Sequence, residues 1–129
     1  MNISNRVIIF SVFRPENTGF NTNNHVQAMA NLRPIGPVQL EGCYKGDTEL
    51  SIMLPYTEGN LLVAKTIGEK YNQDSILVVN ADRTGTLLDP RTGETIGSIG
   101  KIKAISELQA KQLDYHSYNP ATNQYFGVV

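Results

Sequence analysis

The chain has 129 residues, 40% hydrophobic and 18% charged, with 11 Lys and Arg against 12 Asp and Glu for a net charge of −1. This implies one globular domain over residues 1–129 and excludes a disordered chain; the missing basic excess argues against nucleic acid as a partner. A single cysteine, Cys43, excludes an intramolecular disulfide, and no apolar run reaches the roughly 18–20 residues of a membrane span, so no membrane partner is expected.

Val7 to Phe13 is a β-branched apolar run and reads as a central strand buried on both faces, stopped at Arg14-Pro15. A helix is expected from about Thr22 to Arg33, with Val26, Met29 and Ala30 as its apolar stripe, ended by Pro34, Gly36 and Pro37. Val38 to Tyr44 and Glu49 to Leu54 read as strands joined by the hairpin loop Lys45-Gly46-Asp47-Thr48. Thr57 is the expected N-cap of a second helix that presents Leu61, Ala64, Gly68 and Tyr71 on one face. Ser75 to Val79 is a fourth apolar strand.

The order strand, helix, strand, strand, helix, strand predicts an α+β fold, a ferredoxin-like βαββαβ antiparallel sheet with both helices on one face. A C-terminal β-hairpin, Thr86–Leu88 and Thr95–Ile105, follows, turned by Asp89-Pro90-Arg91-Thr92-Gly93 with the glycine in the left-handed region. Ser106 caps a short last helix reaching about Asp114. The tail from Tyr115 to Val129 shows no clear period. The first stretch, Met1 to Phe13, lacks a secretory pattern, and the expected location is the cytoplasm.

Metal chemistry finds no support, because His25 and His116 lie far apart and neither has a second ligand at helical spacing. The glycine-rich run from Gly93 to Lys101 has Thr95 where a phosphate-binding loop needs glycine and Ile102 where it needs Ser or Thr. Its glycines read instead as points of strand bending or close backbone approach. Cys43, inside a strand, reads as a small buried hydrophobe. What remains is Tyr44 and Glu49, brought near each other by a tight hairpin. A phenol and a carboxylate together can orient a cationic substrate, the ring through its π face and the acid as counter-charge. Taken alone, Glu49 reads far more readily as a solvated strand-end residue.

Five short segments in register carry a resemblance: Ser11-Val12-Phe13-Arg14; Asn21, His25 and Leu32-Arg33; Leu40-x-Gly42-Cys43-Tyr44; Glu49-x-Ser51; and Gln73-Asp74-x-Ile76-Leu77-Val78. Over about Val7 to Leu77 the chain resembles the small phage enzymes that destroy S-adenosylmethionine (SAM), the SAM lyases formerly described as SAM hydrolases. The resemblance implies degradation of SAM to methylthioadenosine and homoserine lactone by attack of the substrate's own carboxylate, without a cofactor. It carries the catalytic pair onto Glu49 and Tyr44, and suggests Ser11, Phe13, Arg14 and His25 as substrate-binding residues. It also implies a homotrimer with active sites at subunit interfaces, and a role in phage counter-defence against SAM-dependent restriction. A hydrolase using Glu49 to activate water is a competing mechanism. The competing classes are a non-catalytic module that sequesters SAM or another nucleotide metabolite, and a pure interaction protein. Nucleic-acid mimics of the latter kind are strongly acidic, which this chain is not.

Overall fold

The computed structural model describes residues 6–44, 47–113 and 115–128, with the backbone alone at Tyr44 and Asp47. β1 (Val7–Phe10) pairs with β3 (Asp47–Pro55) on one side and β4 (Ile76–Val79) on the other. β2 (Val38–Tyr44) extends the sheet beyond β3, and β5 (Thr84–Leu88) extends it beyond β4. β6 (Thr95–Ile105) follows β5, and β7 (Tyr115–Asn119) with β8 (Gln124–Val128) bridges the remaining gap to β2. All pairs are antiparallel, and the sheet is a closed barrel in the order β1-β3-β2-β7-β8-β6-β5-β4.

This overturns the expected ferredoxin-like open sheet with its helices on one face. Such a sheet ends in two free edges, whereas here β2 is paired with β7 and β4 with β5. Unpaired strand edges invite association with other chains, and closure removes them. The closing hairpin comes from the aperiodic tail, where Tyr118 pairs with Tyr125 and Asn119 with Gln124. Asn123 takes φ +56° in its turn, a left-handed conformation that asparagine tolerates. The end of the short last helix expected near Asp114 lies outside the described residues; α3 spans Glu107–Lys111, with Ser106 and Gln109 forming a reciprocal capping box.

The barrel has two cores, one on each side of its wall. Outside, α1 (Asn21–Leu32) and α2 (Glu58–Lys70) cover Ile8, Phe10, Ile52, Leu54 and Ile76 with Ala28, Leu32 and Ala64. Inside, Val7, Leu40, Met53, Val79, Ile102 and Phe126 pack together. Alternation along β1 sends Val7 in and Ile8 out, which is why its sequence is apolar without a break. β1 is shorter than the apolar run because the Ser11 hydroxyl takes over at its end. It donates to the Leu50 carbonyl at 2.9 Å and accepts the Phe13 N–H at 3.0 Å.

The buried face of α1 also differs from expectation. Asn21, His25, Ala28 and Leu32 are buried and Met29 packs beside them as expected, while Val26 is 58% exposed and Ala30 is exposed. Asn21 turns the helix: its amide donates to the Arg14 carbonyl at 2.8 Å and accepts the Arg14 N–H at 2.9 Å. Those bonds satisfy the chain between β1 and α1, and apolar periodicity gives way to them. α2 begins as expected, the Thr57 hydroxyl accepting the Asn60 N–H at 2.9 Å. Gly68 lets it pack against the turn between β5 and β6 and against β4, since a Cβ there would lie 2.8 Å from Pro90 and 3.3 Å from Ile76.

Candidate active site in the barrel lumen

Eight strands enclose an interior either filled by side chains or wide enough for one small ligand. Here a cavity of about 720 Å³ opens inside the barrel. Its deep wall is apolar, with Ile9, Leu40, Met53, Leu77, Ile99 and Phe126. Its polar lining comes from Ser11, Glu49, Ser51, Ser117 and His116, and from Tyr115, which is 48% exposed. Gly85 gives the apolar wall its shape. A Cβ at that position would lie 2.4 Å from Ile99 and 2.8 Å from Leu77, so glycine is what admits those side chains.

The electrostatics are one-sided. Among the described lining residues Glu49 is the one carboxylate, and neither Lys nor Arg is present. Glu49 is exposed. His116 lies opposite Cys43 on the neighbouring strand, and both contribute to the lining. The His116 Nδ1 is buried without a hydrogen-bond partner among the described residues.

The strand register refines the expected pair. Glu49 stands opposite Gly42, and the Tyr44 backbone stands opposite Asp47, so Tyr44 and Glu49 are two rungs apart rather than face to face. The Tyr44 side chain and the loop residues Lys45 and Gly46 lie outside the described part of the chain. Ser11 joins Glu49 in the lumen lining. Phe13, Arg14 and His25 lie elsewhere, at the seam between α1 and the outer face of the barrel. The Phe13 and His25 rings meet edge to face at 6.4 Å, and His25 Nε2 is 2.9 Å from Gln39 Oε1. The Arg14 guanidinium donates to Glu16 at 2.9 Å, which raises the arginine pKa; the Glu16 carboxyl is lowered first by a hydrogen bond from its own backbone and then by Arg14. Sequence reasoning missed Tyr115, Ser117 and Phe126, which reach the lumen from the closing hairpin. Their signal is the period-two placement of Tyr115 with Ser117 and of Phe126 with Val128 on either side of a turn-rich stretch.

A second, more open cleft of about 450 Å³ lies beside α3, lined by Ser106, Glu107, Gln109, Asn123 and Tyr125 among others. It lacks the apolar wall that buries most of a small ligand. Among the described residues no group of three or more His, Cys, Asp or Glu is placed to hold a metal ion. Nor is any described helix long and apolar enough to cross a membrane.

The S-adenosylmethionine lyase family model matches residues 8–129. The chain belongs to that family. No curated protein shows significant similarity to it. The match runs through β7 and β8, well beyond the segments on which the sequence resemblance rests. As a member of it the chain is an enzyme that degrades SAM, and a purely sequestering or interaction role gives way to catalysis.

Proposed function

We propose that the lumen is where SAM is bound and cleaved, and that cleavage is an intramolecular displacement. The observation that carries this reading is a cavity of small-molecule size whose described lining has one carboxylate, Glu49, and no cationic side chain. SAM bears a sulfonium and an ammonium against one carboxylate, so its net positive charge suits such a wall.

In the proposed step a carboxylate oxygen of the substrate attacks its own γ-carbon. The C–O bond forms as the Cγ–S bond breaks, and the electron pair leaves with sulfur. The products are methylthioadenosine and homoserine lactone, and neither water nor a protein proton is consumed. The sulfonium is already a good leaving group, so the protein contributes mainly by holding the methionine arm curled, with the reacting atoms in contact. The apolar lumen also removes water from two charges that annihilate in the step. In this reading Glu49 anchors the ammonium end, and the ring of Tyr44 positions the cationic arm. Ser11 closes one side, while Phe13, Arg14 and His25 set the α1 seam behind it.

The reading extends to a homotrimer with each lumen mouth at a subunit boundary. Tyr115 and Val128 line the lumen yet are 48% and 42% exposed, apolar surface of the kind a neighbouring subunit would cover. A phage carrying such an enzyme would empty the SAM pool of the host cytoplasm and starve SAM-dependent restriction.

The test is a time course of purified enzyme with SAM, products separated by chromatography and identified by mass. Lactone appearing before homoserine is the expected result. Homoserine without lactone at the earliest times would overturn the intramolecular step in favour of hydrolysis.

A further inference from the structure

We propose that Gly42 and Ser117 complete a slot, with Glu49, that takes the zwitterionic amino-acid arm of SAM: Gly42 sets its width and Ser117 binds the carboxylate. The inference rests on the lumen reading above. Gly42 on β2 stands opposite Glu49 on β3 and opposite Ser117 on β7, so the three form one rung across three adjacent strands. All three line the cavity. With neighbouring strands roughly 4.8 Å apart, the backbones of Glu49 and Ser117 stand about 10 Å from each other. Between them the wall carries no side chain.

The fold does not require glycine at position 42. Its φ lies outside the left-handed region, and among the described residues a Cβ would meet one neighbour within 4 Å, the Glu49 carbonyl oxygen at an ordinary 3.5 Å. Gly68 and Gly85 differ sharply, because a Cβ at either would strike a packed side chain at under 3 Å. A glycine inside a strand costs conformational entropy and marks a place where another group comes close to the backbone. Among the described residues no side chain takes that place at Gly42, and the space is open to the ligand.

Ser117 supplies the other end. Among the described residues its hydroxyl has no hydrogen-bond partner, although it borders an apolar interior. The rung continues to Phe126 on β8, which walls the slot beyond the serine. An acid at one end and a hydroxyl donor at the other match an ammonium and a carboxylate on one carbon chain. Ser117 donates to the carboxylate oxygen that does not attack, and the arm lies against the bare backbone of Gly42.

The experiment compares steady-state cleavage of SAM with competitive inhibition by methylthioadenosine, which lacks the amino-acid arm. Ser117→Ala is expected to raise KM about tenfold, the effect of one hydrogen bond to a charged group, and Ser117→Thr to restore it. Gly42→Ala is expected to raise KM several-fold and Gly42→Val more, while Ki for methylthioadenosine stays within twofold throughout. If the valine variant fails to fold, the alanine and serine variants carry the test. Unchanged KM in Gly42→Ala and Ser117→Ala alongside an inactive Glu49→Gln overturns the slot alone. A Ki that rises in step with KM also overturns it, because the residues would then act on the shape of the whole cavity. Normal kinetics in all of these variants, Glu49→Gln included, would overturn the lumen as the site.

Discussion

The strands under α1 and α2 differ from the strands that close the ring. In β1, β3 and β4, Ile8, Ile52, Leu54 and Ile76 pack outward on the helices while Val7, Met53 and Val79 pack inward. In β6 and β8 apolar residues such as Ile102 and Phe126 face inward, and Lys101, Lys103 and Gln124 are exposed. The first region is backed by helices on its outer side, while its inner side borders the cavity through Ile9, Met53 and Leu77. The second has one side in water and the other on an open cavity, which leaves its inner face available for a ligand. The division is between a wall backed by α1 and α2 and one that is not, and the candidate site draws on both, Glu49 from β3 and Ser117 from β7.

The strongest test ends the chain at Leu113, removing β7 and β8 and reopening the edges of β2 and β6. Loss of a cooperative thermal transition, aggregation on sizing and loss of SAM cleavage are expected. A folded, cooperative remnant would show instead that the helix-covered region is autonomous. Next, Ile8→Ala is expected to cost about 3–5 kcal/mol in urea unfolding, and Ile102→Ala about 2 kcal/mol or less, because the latter residue already borders a void. Equal costs would erase the distinction. Glu49→Gln should lower kcat/KM by at least about 100-fold, near 2.7 kcal/mol, with Tm unchanged. Wild-type turnover there would remove Glu49 from the site.

Gly85→Ala should cost about 1–3 kcal/mol by overpacking against Ile99, and Ile99→Ala in the same chain should recover part of it. The smallest effect belongs to the surface pair Lys111–Glu107, 2.9 Å apart. The hydrogen bond from Lys111 holds Glu107 below the usual carboxylate range and raises the lysine. A lowered acid pKa gives a contribution present above the ordinary carboxylate range and lost as pH falls through the lowered value. The raised lysine gives one present below the ordinary lysine range and lost as pH rises through the raised value. Glu107→Gln should therefore lower Tm slightly at neutral pH and leave it unchanged in acid.

The sequence was most legible where structure depends on neighbours along the chain. Thr57 and Ser106 cap helices as read, β6 keeps the bounds Thr95–Ile105, and Gly93 takes its expected φ of +76°. Of the expected α1 stripe Met29 packs on the core, but Val26 and Ala30 do not, because Asn21 and His25, both polar, are buried through specific contacts that periodicity does not encode. Ring closure was invisible for a different reason. β7 and β8 are half polar, and their pairing with β2 and β6 joins segments far apart in sequence, which no local pattern reports. Of the lumen lining, Glu49 and Ser11 were named through the family resemblance, whereas Ser117 and Tyr115 depend on that distant pairing.

Closure of the ring has a kinetic consequence. The rung from Glu49 to Ser117 joins an early segment to one of the last, so its formation carries the loop-closure entropy of most of the intervening chain. High contact order of this kind slows folding. An intermediate with α1 and α2 already docked on β1, β3 and β4 would still lack a complete pocket. Enzymatic competence should therefore appear later in refolding than helical signal, as the final hairpin zips into place.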